Sequence, residues 1–359
     1  MPENSRYAGA FHRVIPLRYE NYLDRAMAFR EAVWDELERQ SYDIVHFRSM
    51  WAAVPVEEEK QRQGFAVVAE VNGVESIELK YHYPMLRSAT ELLTKLRRQE
   101  QQAFDCADII LTPSDVTRRY LVHRQVPDSK LRVIPNGVDV QLFTPAPRHR
   151  DAAEPLTLLY IGTLAPWQGL DILLKAMHLL TPHHALSLRI VSPDSRKWQR
   201  PIAKLIHKLA LEERVEILPA CPHEMMPAVI QQADICVAPL APTERNIRQG
   251  CHPLKVLEYL ACGKPIIAAD LPVVREILTP EHDAILCRVD KPSHLAESLL
   301  RLAEDATLRQ RLGEQAACTA RERFGWERAQ QALCSVYDEL LDSNREYVSR
   351  RSDISLAGV

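Results

Sequence analysis

No apolar run in the 359-residue sequence approaches the ~18 residues that a membrane-spanning helix requires, so none is expected. The amino terminus, MPENSRYAGAFHRVIPL, lacks the basic-then-apolar layout of a secretory signal, and a cytoplasmic location is expected. Charge of one sign is not in excess. Lys and Arg number 45 against 48 Asp and Glu, a formal net charge of −3, which gives no reason to expect a nucleic-acid partner. The eight cysteines include no C-x-x-C pair, so reduced, mostly buried thiols are expected. Cys251-His252, with His223, match no common zinc spacing, and no metal is expected. No internal repeat or low-complexity tract occurs.

What is present is a strand–helix–strand rhythm. Asn21–Gln40 reads as a helix, and Tyr42–Phe47 and Phe65–Val71 as strands, the second ending at Asn72-Gly73. A long helix over about 85–106 leads to a strand at Ala107–Thr112. A helix capped by Ser114 follows, then a strand at Leu131–Pro135. Residues 144–155, TPAPRHRDAAEP, read as a linker. The rhythm then restarts, with strands at Leu156–Ile161, Leu186–Val191, Val215–Leu218, Ile235–Val237 and Pro265–Ala268. Helices are expected from Gln168, up to Ala210, over His223–Gln232 and over Leu254–Cys262. Residues 296–342 read as helical, and 343–359 as a polar, frayed tail. This alternation calls for two Rossmann-like, doubly wound α/β domains with parallel sheets. The first spans 1–143 and the second 156–323, with 144–155 between them. Ligands in such sheets bind at the carboxyl ends of the strands.

The segment 250–270, GCHPLKVLEYLACGKPIIAAD, is the most informative. Pro253 suits a first helical turn and Gly263 a C-terminal stop. Leu254, Leu257, Leu260 and Ala261 share one face at helical spacing, so the helix docks on a core. Glu258 is the one carboxylate from Val256 through Ala269. Among apolar neighbours it costs free energy unless hydrogen-bonded, and a ribose diol would donate two hydroxyls to it. The helix start at His252–Lys255 offers free N–H groups and a lysine, which suit a diphosphate. An amphipathic helix with Glu258 at its solvated edge explains the pattern as well.

In order along the chain, DIVHFRS (43–49), EVNG (70–73), ADIILTPSDVTRRYL (107–121) and VIPNGVDVQLF (133–143) resemble segments of the glycosyltransferase family 4 enzymes. So do LLYIGTLAPWQGLDILLKA (158–176), ILPACPHEMMPAVIQQADICVAPL (217–240) and PLKVLEYLACGKPIIAAD (253–270). FGWERAQQALCSVYDELL (324–341) resembles the C-terminal helix that crosses back to the first domain. The resemblance implies two facing Rossmann-like domains, the GT-B fold. It also implies transfer of a sugar from a nucleoside diphosphate, with retention, to a saccharide or lipid-linked acceptor. By the same resemblance Glu258 binds the donor ribose, and Gly162, Thr163 and Gln168 lie along the diphosphate. The 218–222 loop, with Pro219 and Cys221, takes the nucleobase. Leu254 and Lys255 belong to the helix start, and Asn72 ends a strand facing the cleft. No cofactor beyond the nucleotide-sugar co-substrate is implied.

The departures are specific. The position eight residues before Glu258, a second glutamate in many relatives, is Gly250. Two places where relatives often carry cations hold Thr163 and Gln168. The burden of neutralising a diphosphate therefore falls on Lys255, Arg248 and the helix start. The relatives' first strand and glycine-rich loop are expected to be absent, with only one strand, 12–17, before the first helix. A partner chain completing the first domain is one account of this. Lys80, Arg87 and Lys95–Arg98 suggest a basic face for peripheral membrane contact, or simply a solvated helix surface.

Overall fold

The computed structural model describes residues 21–147, 154–180, 184–193 and 196–356. In its first half, α1 (Tyr22–Arg39), β1 (Ile44–Phe47), α2 (Ala53–Gln63), β2 (Ala66–Glu70) and α3 (Glu75–His82) are followed by α4 (Thr90–Cys106), β3 (Ile109–Thr112), α5 (Asp115–His123) and β4 (Leu131–Val133). All four strands are parallel and lie in chain order, β1-β2-β3-β4.

That order has a packing consequence. Right-handed crossovers that always advance in one direction put their helices on one face of the sheet. Alternate residues of β2 accordingly enter different cores. Val67 and Ala69 pack with Val56, Leu96 and Leu121 of the crossover helices and Leu37 of α1. Ala66 and Val68, with Ile109 and Leu111, pack instead against Val336 and Leu340 near the end of the chain. The second face is therefore closed by a helix from far away in sequence.

The second half runs β5 (Leu156–Ile161), α6 (Leu170–Leu180), β6 (Leu186–Ser192), α7 (Arg196–Lys208), β7 (Val215–Pro219), α8 (Met226–Gln231), β8 (Ile235–Ala238), α9 (Leu254–Ala261), β9 (Ile266–Ala269), α10 (Pro272–Arg275) and β10 (Ile285–Cys287). Its six parallel strands are ordered β10-β9-β8-β5-β6-β7, so the winding reverses between β5 and β8. The doubly wound expectation holds here, whereas the described strands of the first half contain no such reversal. β8 (ICVA) and β9 (IIAA) are buried throughout, as strands covered on both faces must be. Then α11 (Pro292–Glu304) and α12 (Ala306–Arg323) lead to α13 (Trp326–Leu356), which carries Val336 and Leu340 back to the first sheet.

Several expectations are corrected. The long helix over 85–106 is broken: Pro84–Ser88 form a 3₁₀ segment and α4 begins only at Thr90. Pro84, lacking an N–H, cannot continue α3. Helices α2 and α3 were not foreseen, because their charged residues leave a weak apolar stripe. The tail expected to fray continues as helix to Leu356. Ser114 does cap α5, its Oγ accepting from the Val116 N–H at 3.1 Å. The strand expected at 12–17, the question of a missing first strand and loop, and the middle of the linker (148–153) lie outside the described residues. Among the described residues, no helix is long and apolar enough to cross a membrane.

Candidate functional site

Helix α9 starts where the carboxyl ends of the second sheet converge. Pro253 is its N-cap, and Gly263 follows its end with φ of +64°, a left-handed position that favours glycine. The helix buries Val256, Leu257, Tyr259, Leu260 and Ala261. Leu254, at the first residue of the helix, departs from the expected apolar face and is 54% exposed. Tyr259 locks the helix to β5, its hydroxyl accepting from the Ile161 N–H at 2.8 Å.

Lys255 folds back over this junction. Its Nζ donates to Gln168 Oε1 at 2.7 Å and lies 4.3 Å from the Tyr160 ring centroid. No carboxylate within ion-pair distance faces it among the described residues. Burial, followed by the opposing effects of Cys251 and Arg245, pushes its ammonium down to about 7. Gly162, at φ of +138°, lies directly beneath, where an added Cβ would sit 2.8 Å from Lys255 Nζ. Thr163 is exposed, and its carbonyl accepts from the Tyr160 hydroxyl at 2.6 Å.

Glu258 stands one turn further along, with its side chain 15% exposed. Its ionic neighbour is His223, Nδ1 3.9 Å from Oε1, beyond hydrogen-bond length. Burial raises the carboxyl above its ordinary range, offset by His223 and Lys255. Pro219 ends β7 and is exposed, and Cys221, two residues on, is half-buried. Thus, among the described residues, one helix presents a cation with no carboxylate at ion-pair distance and a carboxylate whose ionic neighbour lies beyond hydrogen-bond length.

Arg248 is not part of this cluster. It is exposed, and it lines a separate groove with Arg97, Arg119 and Arg124. The half-buried cation of this loop is Arg245, which no sequence motif marks. Its Nε donates to both Glu78 oxygens of α3, at 2.9 and 3.0 Å, across the two halves. Gln249 Nε2 adds a bond to Glu78 Oε1 at 2.7 Å, and Lys80 Nζ reaches Glu244 at 2.8 Å. Gly250 explains its own departure. At φ of +85° and ψ of 164°, a Cβ there would lie 2.4 Å from Thr117 Oγ1 and 2.7 Å from Thr117 N. The halves touch at this residue, and a glutamate has no room. The one signal that could have marked Arg245 was the charged loop TERNIRQG itself.

On the first-half side, Asn72 Nδ2 donates to Glu70 Oε1 at 2.7 Å. His46 places Nδ1 2.7 Å from the Tyr337 hydroxyl and Nε2 3.5 Å from Glu70. Burial would raise Glu70, but His46, Asn72 and Arg48 hold it below the usual carboxylate range. These groups rim a cavity of about 350 Å³ whose walls include Leu111, Ile134, Trp326 and Leu333. Asn136 Nδ2 donates to the His252 carbonyl at 3.1 Å, just before α9, and so ties the two halves together. Trp167 fills a gap, buried against Tyr81, His82 and Trp198.

Two parallel α/β halves, joined by a returning C-terminal helix and meeting at a cleft rimmed by strand ends, define the GT-B class of proteins. The pattern of the family "Glycosyltransferase Family 4" matches residues 2–142, and that of "Glycosyl transferases group 1" matches residues 146–318. The chain belongs to glycosyltransferase family 4.

A D-inositol 3-phosphate glycosyltransferase of Streptomyces bingchenggensis is 30% identical over 262 residues, 68% of this chain and 56% of that protein. One from Kineococcus radiotolerans is 29% identical, over 66% of this chain and 58% of that protein. The matched stretch therefore spans a little over half the length of these curated relatives. Among solved structures, sucrose-phosphate synthase from Thermosynechococcus elongatus superposes with a TM-score of 0.74 at 21% identity, covering 89% of this chain and 79% of that one. HepE from Anabaena, solved in complex with UDP, gives 0.69 at 16% identity, covering 88% and 82%.

Proposed function

We propose that the chain is a glycosyltransferase that moves a sugar from a nucleoside-diphosphate donor to a saccharide or lipid-linked acceptor, with retention. The observation that carries this reading is the pair on α9, a lysine bonded to an amide rather than a carboxylate and a carboxylate whose ionic neighbour stands 3.9 Å away. Lys255 holds a partly deprotonated ammonium against a neutral amide and a ring face, and an arriving diphosphate supplies the charge that restores it. Glu258 is close enough along the helix for a ribose diol on the same nucleotide to complete its hydrogen bonds. HepE, whose structures hold UDP and UDP-glucose, makes a uridine nucleotide the first donor to try.

In the reaction proposed, the acceptor oxygen attacks the anomeric carbon on the face from which the diphosphate departs. The C–O electron pair leaves with the diphosphate, and a phosphate oxygen takes the acceptor proton. Lys255 and the α9 N–H groups stabilise the charge that develops. The first-half cavity beside Asn72 and Glu70 receives the acceptor. No cofactor beyond the donor enters this scheme. A cytoplasmic location is part of the same reading.

The test is thermal stabilisation of the full chain by UDP, GDP, ADP and dTDP with their sugars, beside Glu258→Ala. At about 100 times Kd the linkage contribution is roughly 2.7 kcal/mol, a readily measured midpoint shift. Selective stabilisation lost in the variant is expected. A cooperatively folding chain that ignores the whole panel would overturn the reading.

A second reading, that the chain works with a partner completing its first half, has one observation in its favour. Among the described residues, β1 has a strand neighbour on one side only. A groove of about 640 Å³ beside it is lined by Phe29, Val33, Leu37, Tyr42 and Ile44. Sugar transfer by a monomer excludes that reading.

A further inference from the structure

The groove that receives Arg248 has no part in the donor scheme. It runs between α4 and α5 on one side and residues 244–248 and Pro272 on the other, with a volume of about 870 Å³. Along α5, Val116, Arg119, Tyr120 and His123 recur at the spacing of one helical face and line it together. Arg97 enters from α4, and Arg248 and Ile247 from the second half. Its cations are poorly neutralised. Among the described residues, only Arg124 of these has a hydrogen-bonded carboxylate, Glu100 Oε2 at 2.8 Å. Arg119 lies 3.9 Å from Glu276, with its side chain 65% exposed. The one acid on the lining, Glu244, is already taken by Lys80 at 2.8 Å. Neither Arg97 nor Arg248 has a side-chain ion pair among the described residues.

We propose that this groove is a second anion site, for a phosphate-bearing ligand held between the two halves. A phosphate bound by Arg119 and Arg248 at once touches both halves, and each arginine can present a fork of donors to its oxygens. Tyr120, Ile247 and Pro272 give a partly apolar floor for the body that carries the phosphate. Such a ligand stabilises the arrangement in which the halves meet at Gly250. The site shares no lining residue with the Lys255–Glu258 cluster, so it stands independently of the donor assignment.

The soluble source is probed with glucose 6-phosphate at constant ionic strength, read as a midpoint shift of the full chain. The lipid source is probed by sedimentation with vesicles of phosphatidylglycerol against phosphatidylcholine. Wild type, the double variant Arg119→Gln/Arg248→Gln and Lys255→Met are compared; the two arginines are exposed, so their replacement leaves the core intact. The expected result is stabilisation of wild type and Lys255→Met alike, weakened at least about tenfold in the double variant. Selective sedimentation with phosphatidylglycerol, lost in the double variant, would assign the phosphate to a lipid headgroup instead. Stabilisation lost in Lys255→Met but kept in the double variant would place the phosphate at the donor cluster and overturn the proposal. No response in either arm would overturn it as well.

Discussion

Arg245 and Lys255 stand on either side of the Gly250 turn, both largely withdrawn from water, and their surroundings differ in one respect. Arg245 has a carboxylate. Its Nε donates to both oxygens of Glu78, Gln249 joins one of them, and the guanidinium remains charged, its value raised by Glu78 against the effect of burial. Lys255 has an amide and an aromatic ring, and burial brings its ammonium to about 7. A buried charge with its counter-ion joins the halves; in the function proposed above, the one without it takes its counter-charge from the donor. The contrast separates the surface that holds the halves together from the surface proposed to do chemistry.

The largest effect is expected where the joint is tightest. Gly250→Glu, which puts back the carboxylate common in relatives, would drive a Cβ into Thr117 from a backbone region reserved for glycine. Strain and overpacking together should cost about 2–6 kcal/mol, seen as a lowered denaturant midpoint. A variant as stable as wild type would show that the halves do not meet there.

Arg245→Met strips Glu78 of its charged partner. With side chains 21% and 18% exposed, the pair lies between surface and buried cases, so a loss of about 2–3 kcal/mol is expected. Chemical denaturation followed by near-UV circular dichroism would measure it. Restoration by a second change, Glu78→Leu, would identify the stranded carboxylate as the cause.

Lys255→Met should behave oppositely. Below pH 7 the wild type buries an ammonium that costs stability, so the variant's midpoint should be equal or higher. Binding of a nucleoside diphosphate should weaken by about 2 kcal/mol, the worth of one charge-assisted hydrogen bond. The sign with pH follows. The folded-state value lies below the unfolded one, so the unfolded chain binds more protons above pH 7, and stability rises from there toward ~10.4. Affinity for the anion moves the other way, falling about tenfold between pH 6.5 and 8 as Lys255 deprotonates. Lys255→Arg should flatten that profile; a flat wild-type titration would show that Lys255 does not meet the phosphates.

Much of this was legible in the sequence because it depends on local chemistry. Buried parallel strands must be short and apolar, so β2, β3, β8 and β9 announce themselves. The stop at Gly263 and the cap at Ser114 follow from backbone conformation and a single hydrogen bond. Glu258 is conspicuous because a carboxylate amid apolar residues needs a partner. Helices α2 and α3 were hidden, since charge on most of their surface blurs the period that betrays a helix.

By itself the sequence determined the alternating α/β class, the division into two halves, and the Lys255–Glu258 pair on one helix. Only the tertiary structure decided that Arg248 looks into a groove while Arg245 joins the halves. It also decided that Gly250 is a point of contact, and that Val336 and Leu340 close the second face of a sheet more than two hundred residues earlier. The reason is physical. Propensity and periodicity act over a turn or a strand, whereas a charge takes its state from whichever groups the folded chain brings within a few ångströms.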